Sequence, residues 1–87
     1  VHTPALDALA RQGVLFSDCF ATSNITLPSH AALLTGLHPR DTGITNNRTR
    51  LGEQADTLAE RFRDAGYAPL AVTSAKHMNH PWSGLGQ

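Results

Sequence analysis

A threonine, a proline and a glycine divide the middle of this chain into a turn and a short helix. The segment reads Thr26-Leu27-Pro28-Ser29-His30 and continues through Ala-Ala-Leu-Leu-Thr to Gly36. Proline is favoured in the first turn of a helix, and glycine just past the last turn. We therefore expect a helix of about two turns that begins near Pro28 and ends at Gly36.

Thr26 lies where this helix is expected to begin, next to backbone N–H groups that have no partner inside a helix. The positive end of the helix dipole adds to these donors, and phosphate or sulfate groups bind at such positions. The pattern therefore predicts a hydroxyl nucleophile beside an anion site formed by backbone N–H groups. From the pattern alone, a helix-capping role for Thr26 without chemistry is the alternative.

Further helices are expected on both sides of this segment. Thr3-Pro4 opens an apolar periodic stretch that ends at Gly13, and Thr57 with Glu60 has the spacing of a capping box before a helix that ends at Gly66. The intervening residues 37–52 are rich in Gly, Pro, Asn, Thr and Arg, which predicts an irregular surface loop.

Two apolar stretches predict strands. Residues 14–21 form one, and residues 70–73 form a shorter, buried one. Strands and helices thus roughly alternate, which favours an α/β fold with a mostly parallel sheet. Ligands in such folds bind beyond the carboxyl ends of the strands, and Thr26 follows a strand and precedes a helix.

Length and charge exclude several classes of function. The 87 residues allow one small domain at most, and the net charge is zero. The chain has no basic stripe of the kind that binds nucleic acid. It also has no run of about 18 apolar residues, which a membrane span in this segment would need.

A threonine hydroxyl is a weak nucleophile at neutral pH, so Thr26 needs a base or a metal to share its proton. A divalent metal would also neutralise charge on a phosphate or sulfate oxygen. The chain has no paired Asp, and its histidines are scattered. We therefore expect most of any metal site to lie outside these 87 residues.

Several segments, in the same order and spacing, make the chain similar to the amino-terminal part of a sulfatase, in the alkaline-phosphatase-like superfamily. They are Thr3-Pro4-Ala5-Leu6-Asp7-Ala8-Leu9-Ala10, Gly13-Val14-Leu15-Phe16, Leu27-Pro28-Ser29-His30-Ala31-Ala32-Leu33-Leu34-Thr35-Gly36-Leu37-His38-Pro39, and Thr57-Leu58-Ala59-Glu60 with Ala65-Gly66-Tyr67. The resemblance implies that residues 1–87 are part of a three-layer α/β/α catalytic domain whose first strand and carboxyl-terminal remainder lie outside the chain. It also implies metal-assisted hydrolysis of a small-molecule sulfate ester, with calcium as the expected metal.

The chain departs twice from the sulfatase motif, which is Cys or Ser, any residue, Pro, Ser, Arg. Thr26 occupies the position that sulfatases oxidise to formylglycine, and His30 replaces Arg. The β-methyl group of Thr26 rules out that aldehyde, so no formylglycine is expected. Thr26 would instead be the nucleophile and a metal ligand, with His30 as the second catalytic residue.

Thr26 and His30 also resemble the motif Thr-Phe-Pro-Asn-His of nucleotide pyrophosphatases and phosphodiesterases, in which the threonine attacks phosphorus and ligates zinc. A hydrolase of phosphodiesters or phosphonates, with zinc or manganese, is therefore the alternative function. Sulfatases hold the ester with a lysine and a histidine near this part of the chain, and by this resemblance Lys76 and His77 are candidate substrate ligands. A non-catalytic relative that binds an anion or serves structurally is the third interpretation.

Overall fold

Four α-helices and one 3-10 helix form the regular structure of residues 1–79 and 82–85, the part of the chain that the computed structural model describes. The α-helices are α1 (Pro4–Gln12), α2 (Thr26–Thr35), α3 (Pro39–Thr42) and α4 (Leu58–Asp64), and the 3-10 helix is Lys76–Met78. Helix α2 lies at the centre because it contacts α3, α4 and the 3-10 helix. Within this part of the chain, no helix is long and apolar enough to span a membrane.

Helix α2 begins two residues earlier than its proline suggests. Ile25 is the extended N-cap and Thr26 is the first helical residue, so Pro28 occupies the third position. A proline is tolerated there because the first N–H groups of a helix have no intrahelical acceptor. The predicted end is confirmed: Gly36 adopts φ 71°, and its N–H donates to the carbonyl oxygen of Ala32 at 2.9 Å.

Helix α2 contributes to a small apolar core. Leu27 and Ala31, one turn apart on the helix, pack with Ile44 and Leu51, and each of the four is at most 1% exposed. The prediction that residues 37–52 form a surface loop is therefore wrong in part, since this segment contains α3 and supplies half of the core. The N–H of Leu51 also donates to the carbonyl oxygen of Ser83 at 2.9 Å.

Neither predicted strand is formed in the part of the chain that the structure describes. Residues 14–21 and 70–73 have no regular secondary structure, and their apolar side chains are exposed, from 74% for Phe16 to 92% for Val72. A strand requires a second strand to accept its backbone hydrogen bonds, and none of the described residues forms a strand or a β-bridge. The predicted α/β sheet is therefore absent from the described residues, which are helical and irregular.

The capping box predicted for α4 is confirmed. The N–H of Glu60 donates to Thr57 Oγ1 at 3.3 Å, while the N–H and the hydroxyl of Thr57 both donate to Glu60 Oε2, at 2.9 and 2.8 Å. These bonds lower the pKa of Glu60, the backbone N–H of Thr57 most, and the Arg63 guanidinium acts in the same direction. The ionised carboxylate thus favours the folded state.

Acid should therefore loosen α4. Because the pKa of Glu60 is lower in the folded chain, its contribution is complete above the ordinary value of 4.5 and is lost as the pH falls through the folded-state pKa. Urea unfolding at pH 6 and pH 3 should show a loss of stability that is smaller in Glu60→Gln. The control Glu53→Gln removes an exposed carboxylate, 3.5 Å from Arg50, and should keep the full loss. Equal losses in all three proteins would contradict this assignment.

Candidate functional site

The start of α2 offers fewer free backbone donors than its sequence predicts. The N–H of Leu27 donates to Asn47 Oδ1 at 2.8 Å, Pro28 has no N–H, and the N–H of Ser29 donates to the carbonyl oxygen of Ile25 at 3.1 Å. Residues 26–29 are the first four of the helix, and among them only Thr26 has a backbone N–H without an acceptor in the described chain. The prediction of an anion site formed by several backbone N–H groups is therefore wrong.

The hydroxyl group of Thr26 makes no hydrogen bond within the described residues, and the residue is half-buried. The structure excludes the capping role that was the alternative for Thr26, because Ile25 occupies the N-cap and Thr26 is the first helical residue. By contrast, Thr35 donates its hydroxyl proton to the carbonyl oxygen of Ala31 at 2.7 Å, and Thr57 is part of the capping box. The Thr26 hydroxyl is thus available for a ligand or a substrate.

His30 lies one turn after Thr26, and its ring is fixed by the backbone. Its Nδ1 is 2.8 Å from the carbonyl oxygen of Thr26. Because a carbonyl oxygen only accepts, Nδ1 must carry the proton, and in the neutral ring Nε2 then has a free lone pair. The structure thus brings the two predicted catalytic residues together through the main chain of Thr26, and leaves Nε2 of His30 able to accept a proton.

Lys76 and His77, the predicted substrate ligands, line one pocket of about 260 Å³ together with Asn47, Arg48 and Trp82. The Nζ of Lys76 lies 5.7 Å from the centroid of the Trp82 ring, within the range of a cation–π contact. None of the described residues that line this pocket carries a carboxylate. The pocket is therefore positively charged and has an aromatic wall.

Thr26 and His30 do not line that pocket, but the pocket adjoins their helix. The 3-10 helix that carries Lys76 and His77 contacts α2. Asn47 also joins the two places, since it lines the pocket and accepts the Leu27 N–H. The site thus has two neighbouring parts, a hydroxyl with a histidine at the start of α2 and a cationic pocket beside it.

Sequence reasoning missed Asn47, Arg48 and Trp82. Asn47 accepts the N–H of Leu27, 20 positions earlier in the chain, and no local pattern predicts a cap supplied from so far along the sequence. Arg48 lies within the predicted surface loop, where a charged residue is ordinary.

The described residues do not build a metal site by themselves. They contain no group of three or more His, Cys, Asp or Glu side chains that could hold a metal ion. The Thr26 hydroxyl and Nε2 of His30 offer two atoms that could ligate a metal near the start of α2. Calcium takes six to eight oxygen ligands and zinc usually takes four ligands.

Comparison with known proteins agrees with the order of segments along the chain. A family model of the sulfatases matches residues 1–83. N-acetylgalactosamine-6-O-sulfatase of Bacteroides thetaiotaomicron is 41% identical over 77 residues, which are 83% of this chain and 15% of the relative. An ulvan-active sulfatase of Formosa agariphila is 37% identical over 67 residues, 77% of this chain and 14% of the relative.

N-acetylglucosamine-6-O-sulfatase of Bacteroides thetaiotaomicron is 31% identical over 72 residues, 83% of this chain and 13% of the relative. This chain thus spans 13 to 15% of the length of these three relatives. No solved structure matches it. Because the family model extends over nearly every residue, the chain belongs to the sulfatase family, which implies an α/β fold of the alkaline-phosphatase type.

Proposed function

We propose that the protein carrying this chain is a metal-assisted hydrolase of small-molecule sulfate esters, with Thr26 as its nucleophile, and that residues 1–87 are part of its catalytic domain. The observation that carries the proposal is the hydroxyl of Thr26, which makes no hydrogen bond within the described residues and lies at the first position of α2, one turn before His30. Membership of the sulfatase family and the names of the relatives support sulfate as the transferred group.

In the first step Thr26 Oγ1 attacks sulfur, and the bond between sulfur and the alcohol oxygen breaks. The hydroxyl proton moves to Nε2 of His30 and then to the departing alcohol oxygen, so that charge does not build up on it. The product of this step is a sulfate ester of Thr26. Water then attacks the sulfur of that ester, releases hydrogen sulfate and restores the threonine hydroxyl.

Lys76 and His77 would hold the sulfate group of the substrate in this proposal, because both line the cationic pocket beside α2. A divalent metal, calcium for a sulfatase, would supply neutralisation of charge on the sulfate oxygens. Thr26 would be one ligand of that metal, and the other ligands would come from outside the described residues.

The proposal includes a place for the two exposed apolar stretches. Residues 14–21 and 70–73 would be strands of a mostly parallel sheet, in three layers with the helices, once other strands lie beside them. The apolar side chains they leave exposed support this, since strands of parallel sheets are apolar on both faces.

A phosphodiester or phosphonate hydrolase that uses Thr26 directly, with zinc or manganese, is the second candidate. It is favoured by the free hydroxyl itself, because a threonine that cannot form an aldehyde attacks phosphorus by the same displacement.

Turnover of an aryl sulfate and of an aryl phosphodiester by the whole protein separates these functions. We expect kcat/KM for the sulfate monoester to exceed that for the phosphodiester by at least about tenfold, since binding and catalysis are fitted to one transferred group. A preference for the phosphodiester would establish the second candidate instead. Absence of both activities in protein that contains a stoichiometric divalent metal would indicate a non-catalytic anion-binding relative.

A further inference from the structure

The structure assigns a binding role to Arg48. We propose that Arg48 is a substrate-binding residue that, with Lys76, holds the anionic group of a single-ring sulfate ester, while Trp82 contacts the ring itself. The proposal rests on the proposed function for the identity of the anion. Its own evidence is the way the chain holds Arg48, the charge around it and the size of the pocket.

Hydrogen bonds fix the backbone on both sides of Arg48. The N–H of Arg48 donates to Asn46 Oδ1 at 2.8 Å, and the hydroxyl of Thr49 donates to the carbonyl oxygen of Asn46 at 3.0 Å. The preceding residue, Asn47, accepts the N–H of Leu27 at the start of α2. Arg48 is thus tied to the helix that carries Thr26, which lowers the ordering cost of binding a ligand there.

The guanidinium of Arg48 makes no ion pair within the described residues. Three other arginines do: Arg50 pairs with Glu53, Arg61 with Asp56, and Arg63 with Glu60 and Asp64. Arg48 instead lines the pocket with Lys76, and no lining residue of the described chain is acidic. Two cations without carboxylates in a concave surface raise the local positive potential, which attracts an anion.

The chemistry of the lining matches a sulfate on a ring. A guanidinium binds two oxygens of a tetrahedral anion at once, whereas an ammonium acts as a point charge. Trp82 offers an aromatic face that packs against the apolar face of a sugar or aryl ring. At about 260 Å³ the pocket is below the range usual for drug-sized ligands, and this volume suits one ring with its sulfate.

Binding of inorganic sulfate to the whole protein, measured by calorimetry, tests this assignment without requiring turnover. Arg48→Gln should weaken binding by about tenfold or more, as expected for the loss of a charge-assisted bidentate contact. The sulfate affinity of Arg48→Lys should lie between those of Arg48→Gln and the wild type. The matched control is Arg40→Gln, which removes an exposed arginine that also lacks an ion pair in the described chain and lies outside the pocket; it should bind as the wild type does.

Steady-state kinetics give a second readout. Arg48→Gln should raise KM for an aryl sulfate by about tenfold and change kcat much less, because a residue that binds ground state and transition state equally affects KM alone. Sulfate binding equal in Arg48→Gln and wild type, or no sulfate binding by wild type, would overturn the proposal. If sulfate binds and Arg48→Gln weakens it, yet no sulfate ester is hydrolysed, then the proposed function fails and the role of Arg48 stands.

Discussion

Replacing Thr26 with alanine should lower the rate of sulfate-ester hydrolysis by the whole protein at least about a thousandfold, since loss of a nucleophile leaves only binding and electrostatic stabilisation. The fold should not change, because the Thr26 hydroxyl makes no hydrogen bond within the described chain. Thr26→Ser keeps a hydroxyl at the same place and should retain turnover within about tenfold of wild type. Initial rates with an aryl sulfate, at equal concentrations of folded protein, measure both effects.

A threonine elsewhere provides the control for this experiment. Thr45 is exposed and lies outside the α2 start and the pocket, so Thr45→Ala should hydrolyse the ester at the wild-type rate. Wild-type turnover by Thr26→Ala would remove Thr26 from the mechanism. The family membership would remain, because it rests on the match over residues 1–83 and not on this side chain.

Truncating Leu51 should have the largest effect on stability. Leu51 is 1% exposed, packs with Leu27, Ala31 and Ile44, and its backbone ties this cluster to Ser83. Leu51→Ala should lower the free energy of unfolding by about 2–5 kcal/mol, the usual range for a buried leucine. Because the core is small, a loss of this size approaches the whole stability of a domain of this length.

The control for Leu51→Ala makes the same substitution at an exposed position. Leu33, on α2, is 75% exposed, so Leu33→Ala should change the free energy of unfolding by less than about 0.5 kcal/mol. Urea unfolding of the 87-residue chain, followed by circular dichroism, measures both variants. Equal effects at Leu51 and Leu33 would show that the core does not carry the stability of the chain.

The local elements of this fold were predictable because their signals are local. Thr57 and Glu60 form the predicted capping box three residues apart, and Gly36 ends α2 with the positive φ that glycine adopts without strain. The start of α2 was misplaced because Pro28 is accepted at any of the first positions of a helix, so it did not identify which residue comes first.

The strands were predicted from apolar stretches, but a strand depends on a neighbour that the stretch does not encode. Residues 14–21 and 70–73 have the composition of strands and remain unpaired among the described residues. In the same way, the polar composition of residues 37–52 gave no sign that Ile44 and Leu51 are buried. They are buried because the segment folds back on α2.

The sequence by itself determined the end of α2, the capping box of α4, the order of segments that shows the family, and Thr26 with His30 as candidates four positions apart. Only the tertiary structure decided what each of them contacts. Asn47 takes the Leu27 N–H from 20 residues away and so removes a donor from the expected anion site, while Arg48 joins Lys76 in a pocket beside the same helix. The physical reason is that caps, pockets and charge clusters depend on distances in space, and the spacing of residues along a chain fixes those distances only within one helix or turn.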